Sequence, residues 1–438
     1  MPRKGANSDS VCAPMASELT SISASWLGSI LDMHRNNAAI LLCPVVRSPC
    51  YLSLSNLAVR PRRLRKIPRC RMACTAPLVE QGRPIRMQLQ STVDRHDFRD
   101  EGIIMGKGVF SQGLVILLSD AVRLDALREC LCASYMIGNE VAAAGHWEFG
   151  GPSLVFEYDA AVNGRVMVDI VARKWPDQMG DSKDEATLFG AWSMGHFGPF
   201  AYPGGLGRAV EQSWTWDHGA SDVERHTAFV RIRTSYVLGS NDDAAILPAN
   251  YDPVRELDFI TDVAQQLLAL DEAICYFNPS GEKLLSASKL EDLLDYNSTQ
   301  SLPSLDVWCN IRMFKLESDW LIMDTVGNWQ LDMPDHEAAF HKDCFLPREV
   351  DNFLWNTSLY ILNNGNIIKD GDTMDGPGDI RWQAYSFENG LSSPPRDVIR
   401  WLPLDAAKIP EILLPSKSAV SEAGRASETA KKSWWKKW

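Results

Sequence analysis

The stretch Met333-Pro-Asp-His-Glu-Ala-Ala-Phe-His341 gathers the residue types of general acid–base chemistry. Asp335, His336 and Glu337 are adjacent, and a carboxylate beside an imidazole is the usual means of moving a proton near neutral pH. The two histidines suggest zinc. A zinc-protease helix, however, needs them four positions apart on one face. Here they are five apart, about 140° around a helix, so they do not share an ion. The competing reading is architectural. Pro334 opens a helix, and the acids that follow complement its N-terminal dipole. Just upstream, Thr325, Gly327 and Trp329 are the candidate binding residues.

Other motifs fall short of a chemistry. Pro203-Gly-Gly-Leu-Gly-Arg208 lacks the spacing of phosphate and dinucleotide loops, and reads as a tight structural loop. Ser193 stands in Gly190-Ala-Trp-Ser-Met-Gly195, one residue off the hydrolase elbow. The acidic, glycine-rich 370–378 lacks the alternating oxygen ligands and final Glu of a calcium loop. No metal site and no cofactor is expected. Two function classes remain: a non-enzymatic binding or interaction module, or a hydrolase or transferase using Asp335, His336 and Glu337 with His226 or Glu211 folded nearby.

The elements that would position these residues begin near Met105. Residues 1–104 carry 15 Lys+Arg against 8 Asp+Glu, leaving 29 against 48 for the remainder, so the net charge of −12 averages two unlike pieces. The first piece, with its Arg60–Lys66 cluster, reads as a basic arm, a disordered leader, or sequence upstream of a start at Met105. The acidic body argues against nucleic acid, which needs clustered Lys and Arg to displace counterions. No apolar run approaches the length needed to span a bilayer. The ten cysteines show no CxxC pair and no dense, regular spacing, so reduced, mostly buried thiols and a cytoplasmic protein are expected.

Within the body, the apolar run 113–118 predicts a buried strand, and a helix over 122–131 follows. Strands at 154–158 and 166–171 flank Asn163-Gly164, a hairpin signal. A second round begins at 226–237 with a half-exposed strand. It continues through a helix over 251–270, a strand at 273–277, a short helix at 290–296 and strands at 307–315, 320–325 and 328–331. A long helix over 347–362 ends at Asn363-Asn364-Gly365, before strands at 380–387 and 398–402. The expected fold is α+β: two similar strand–helix–strand–strand subdomains, 105–225 and 226–405, in one compact body of mixed or antiparallel sheets flanked by helices. Residues 406–438 read as a flexible tail whose Trp434, Trp435 and Trp438, with four Lys, favour a partner or weak peripheral membrane contact without stable insertion.

The strand from His226, the helix 258–270, Ala273–Phe277 and the block Met323–Glu337 resemble the uncharacterised bacterial family called domain of unknown function 4261. The resemblance is loose over 113–402 and closer over 226–340. Its members are α+β proteins with a Thr-x-Gly turn followed by an acidic motif, which would fall here on Thr325, Gly327, Asp335 and Glu337. The chain departs from the family in its long Gly/Trp-rich stretches and its Trp-Trp tail. The resemblance implies a fold and no activity. The ligand expected is another protein.

Overall fold

The computed structural model describes residues 107–143, 147–213, 216–240, 244–406 and 408–415. The leader 1–104 and the tryptophans of the tail lie outside the described residues. The strands are β1 Gln112–Leu118, β2 Ile137–Val141, β3 Ser153–Asp159, β4 Gly164–Val171, β5 Ala228–Ser235, β6 Ala273–Asn278, β7 Lys283–Leu285, β8 Asn310–Lys315, β9 Trp320–Val326, β10 Asp335–His341, β11 Thr373–Gly376, β12 Ile380–Phe387 and β13 Val398–Pro403. The helices are α1 Leu124–Leu131, α2 Ala186–Ser193, α3 Gly205–Glu211, α4 Gly219–Glu224, α5 Pro253–Leu267, α6 Ala287–Gln300, α7 Leu305–Trp308 and α8 Pro347–Asn364.

The fold is α+β, with two sheets flanked by helices. The first is antiparallel, in the order β2-β3-β4-β5-β1-β6-β7; the second runs β11-β12-β13-β10-β9-β8. All pairings in the second are antiparallel except β10 with β13. β1 takes a central place because every residue of Gln112–Leu118 is buried, and a strand covered on both faces must be apolar on both. The β3–β4 hairpin closes where Asn163 adopts φ 55°, the left-handed conformation this residue type tolerates. Its amide donates to the carbonyls of Tyr236 and Leu238, tying the turn to the chain beyond β5.

Helix α5 starts at Asp252, whose carboxylate accepts from the backbone N–H groups of Val254 and Arg255, with Pro253 at the first position. Its stripe of Leu257, Ile260, Ala264 and Leu267 is buried. Helix α8 opens on Pro347 and ends at Gly365, with φ 83°. One apolar core runs between the sheets and these helices, taking Leu114, Ile116 and Val230 from the first sheet and Ala338, Phe340 and Trp401 from the second. Smaller clusters cover the outer faces: Phe229, Phe277 and Trp175 on the first, Trp320, Ile322 and Leu413 on the second.

The sheets do not divide where the expected subdomains do. β5, just past the 225/226 boundary, is hydrogen-bonded between β1 and β4. The change of sheet falls after Leu285, so β5–β7 complete the first sheet and only β8–β13 form the second. Four local expectations also change. Residues 328–331 form a 3-10 turn rather than a strand, and 305–308 a short helix before β8. Residues 335–341 are a strand, not the start of a helix, because β9 and β13 pair with them on either side. Of the five described cysteines, Cys275 and Cys309 are buried, but Cys132 and Cys344 are exposed.

The first sheet meets the second at a tight backbone crossing. A Cβ on Gly281 would lie 1.9 Å from the Trp308 carbonyl oxygen, and one on Gly327 would lie 2.8 Å from the Gly281 Cα. The Trp308 carbonyl cannot move aside, since it accepts from both Asn278 Nδ2 and Gln330 Nε2. Gly281→Ala is therefore expected to cost about 3 kcal/mol, the upper range for overpacking. Gly190→Ala, inside α2 with nothing within 4 Å of the new methyl group, should instead gain about 0.5–1 kcal/mol. Urea unfolding of the two variants beside the parent chain measures both.

Candidate functional site

The acidic motif lies in the middle of the second sheet. Successive side chains of a strand point to opposite faces, so Asp335 and Glu337 share one face of β10 and His336 occupies the other. All three are buried. The antiparallel register sets Glu337 opposite Asp324 on β9, and the parallel register sets Glu337 opposite Arg400 on β13.

Asp335 clamps the turn that precedes it. One carboxylate oxygen accepts from Thr325 Oγ1 at 2.8 Å and from the Asn328 N–H at 3.1 Å; the other accepts from the Gly327 N–H at 3.4 Å and from Arg396 Nε at 3.1 Å. Thr325 Oγ1 in turn accepts from the His336 N–H. Gly327, at φ 116°, is the position that lets the chain turn back toward this carboxylate. Thr325 and Gly327 are thus brought together with Asp335, as partners in a fold clamp. Trp329 is half-buried beside them: its indole N–H donates to the Asp397 carbonyl, and its ring meets Phe200 edge-on at 5.7 Å.

From this clamp an alternating series of charges runs through the protein. Arg396 Nη2 donates to Asp324 Oδ2 at 2.6 Å, and Arg312 grips both oxygens of the same carboxylate at 3.0 and 2.6 Å. Arg312 Nη1 continues to Glu282 at 2.7 Å, and Arg208 Nε closes the series on Glu282 at 2.8 Å. Ser392 Oγ donates to Asp324 as well. Burial pushes the Asp324 carboxyl up, but Arg312 and Arg396 outweigh it and hold this group below the usual range. At Asp335 burial prevails over Arg396 and Thr325, and the carboxyl lies above its ordinary value. Glu337 belongs to a second pair: Arg400 Nε donates to it at 2.8 Å and the Leu391 N–H at 2.6 Å.

His336 has a different environment. Trp401 Nε1 approaches its Nδ1 at 3.5 Å, and Nε2 has no hydrogen-bond partner among the described residues. Burial alone drives its pKa down to about 3, so the ring is neutral near pH 7. The three residues do not converge as an acid–base group. His226, considered as a helper, is engaged elsewhere, accepting from the Trp175 N–H at 3.0 Å. The glycine-rich 203–208 loop is filled by the protein's own anion: Asp177 accepts from the N–H groups of Leu206 and Gly207, where a phosphate would sit. Among the described residues no group of three or more His, Cys, Asp or Glu is placed to hold a metal ion. A depression of about 220 Å³ lined by Trp216, Leu284, Lys289 and Asp292 lies apart from the acidic motif.

Sequence reasoning missed the arginines. Arg312, Arg396 and Arg400 are buried, and so are Arg231 and Arg233, which share Asp169 on the first sheet at 2.5 and 3.0 Å. The available signal was an Arg inside an otherwise apolar strand, as in Val398-Ile-Arg-Trp-Leu402. Such a residue is seldom buried without a counter-charge. Glu256 was missed likewise: burial raises its carboxyl, which accepts from Ser111 Oγ and Tyr251 Oη.

The depressed pKa of His336 has a measurable sign. The unfolded chain takes up this proton near pH 6.5 and the folded chain only near 3, so stability falls as pH drops through that interval. The gap in unfolding free energy between the parent and His336→Leu should therefore shift by about 1 kcal/mol, against the parent, between pH 7 and pH 5.5. Urea titrations at the two pH values test it; a constant gap would contradict a buried neutral ring.

No curated protein and no solved structure matches the chain. One family model does, with its match set further toward the C-terminus than the 226–340 of closer resemblance. Residues 324–402, which run from Asp324 past Arg400, match the family described as Domain of unknown function (DUF4261).

Proposed function

We propose that this protein is a non-enzymatic binding module whose ligand is another protein. One observation carries the reading: the three buried carboxylates of the family-matched segment, Asp324, Asp335 and Glu337, are committed to internal partners. Asp324 is shared by Arg312 and Arg396, Asp335 is held by Arg396 and the 325–328 turn, and Glu337 is held by Arg400. A general acid or base must reach the proton it moves. These groups instead lie under the loop 388–397 with their oxygens occupied, and the imidazole between them faces away. The segment uses its charged residues to fix a shape. Among the described residues no helix is long and apolar enough to cross a membrane. A cytoplasmic setting completes the proposal.

Two measurements test it. Asp335→Ala leaves Arg396 partly uncompensated in the interior, and should lower stability by about 3–5 kcal/mol. Calorimetric melting of the full chain reads this loss, and an unchanged melting temperature would reopen a catalytic role for Asp335. Purification of the tagged chain from its native host should yield a protein partner at a fixed stoichiometry. The reading is overturned if the purified chain hydrolyses or transfers groups from a screened substrate at a rate that His336→Gln abolishes while the fold is retained.

A further inference from the structure

Beside the loop 388–397, the outer face of the second sheet is covered by a segment that leaves β13 at Pro403 and crosses back over β9 and β10. The floor beneath it is apolar: Trp320 and Ile322 from β9, Ala339 from β10 and Leu402 from β13. Into this floor goes Leu413, fully buried, while its neighbours Ile412 and Leu414 stay 65% and 39% exposed. Leu413 is thus the one fully buried side chain of the segment, with Ala406 and Ile409 packed partly buried on the same floor and its immediate neighbours facing solvent, the pattern of a docked peptide rather than of a core element.

The polar contacts have the same character. Arg400 Nη1 points toward two successive backbone carbonyls of the segment, Ile412 at 3.4 Å and Leu413 at 3.3 Å. Both carbonyls lie at the C-terminal end of the 3-10 turn Glu411–Leu413, so the contacts read its backbone and not its sequence. Beyond Leu404, whose N–H donates to the Arg381 carbonyl, the segment's described backbone bonds are internal: Ala406 to Pro403, Leu413 to Pro410 and Leu414 to Glu411. It therefore lies on the sheet without joining its ladder. Glu337 holds Arg400 from the other side, at 2.8 and 2.7 Å, and Phe387 stacks on the guanidinium at 3.9 Å. The acid of the family motif acts here as a positioning residue for the arginine that meets the segment. Arg400, Glu337, Ala339 and Leu402 fall within the family match, whereas the segment lies beyond it.

We propose that this face is a docking groove for a short, proline-bracketed 3-10 turn with a leucine anchor, and that Pro410–Pro415 of the chain, whose Glu411–Leu413 forms such a turn, occupies it in cis. The proposal rests on the interaction reading above and names the chemistry of the partner: a segment that resembles Pro-Glu-Ile-Leu-Leu-Pro, one leucine buried and two carbonyls presented to Arg400. A tethered segment competes at an effective concentration on the order of millimolar, so the groove is closed to weak outside ligands until the segment is displaced.

The probe is a fluorescent synthetic peptide spanning residues 408–415, and the readout is polarisation with the full-length chain. Leu413→Asp removes the anchor and should release the segment, giving saturable binding on the order of 100-fold tighter than to the parent, whose groove is filled. A peptide carrying the same Leu413→Asp change should not bind, and adding Arg400→Met to the released chain should weaken capture. Should Leu413→Asp unfold the protein, a protease site placed between Leu404 and Lys408 and cut after folding gives the second test, in which the free segment exchanges with labelled peptide. Failure of both the released and the cut chain to take up peptide overturns the groove. The interaction reading is scored separately, because a native-host partner retained equally by parent and Leu413→Asp would place its interface elsewhere.

Discussion

Arg396 is shared by two buried carboxylates, and much of the second sheet is arranged around that sharing. Its Nη2 serves Asp324 on β9 and its Nε serves Asp335 on β10, while Nη1 is taken by the carbonyls of Ser392 and Pro394. An arginine so placed can be desolvated only if both acids and both carbonyls arrive together. The loop that carries it is thereby fixed across two strands. Beyond Asp324 the same logic extends through Arg312 and Glu282 to Arg208, which belongs to the layer over the first sheet. Three arginines and three acids alternate, so the interior holds little net charge from this series. Such pairs add modestly to stability but penalise any packing that separates them, and they therefore specify the relative placement of β6–β7 and β8–β9 more sharply than apolar contacts alone.

The first sheet handles its interior charge differently. Asp169 stands against two arginines, Arg231 and Arg233, with the excess shared among the carbonyls of Phe149 and His196. Phe110 stacks on Arg233 at 3.9 Å. Carbonyl dipoles and an aromatic face here take the part that a second carboxylate takes elsewhere. Burial, together with the neighbouring Arg231, brings the Arg233 pKa down to about 9. The long loops between β4 and β5 are what keep this cation covered.

What the sequence revealed and what it hid follow from range. β1, β4 and β13 are legible as apolar runs, α5 from its apolar stripe, and the β3–β4 turn from Asn163-Gly164, because each is specified within a dozen residues. β10 is not. Asp-His-Glu-Ala-Ala after a proline carries every local mark of a helix start, and it becomes a strand because Thr325, Arg396 and Arg400, up to 63 positions away along the chain, satisfy its acids. Asp335, His336 and Glu337 read locally as a helix start, and they lie on a strand that sends the histidine to the opposite face from the two acids. The arginines that hold these acids went unnoticed since a basic residue in a strand declares its partner only through pairing. The placement of β5 between β1 and β4 likewise rests on pairing with strands distant in the chain, and no local pattern records that.

The parallel pairing of β10 with β13 sets an order of events during synthesis. The β8–β9–β10 pairings join strands that are neighbours in the chain, so little loop-closure entropy opposes them. β10 then waits about sixty residues for its other partner, a separation that loop closure makes slow to bridge. Throughout that interval one edge of β10 is open, with Asp335 and Glu337 still lacking their arginines. An open edge invites pairing with another chain, and two unneutralised acids on it are a deterrent. The same carboxylates that lock the finished sheet thus guard the unfinished one on the ribosome.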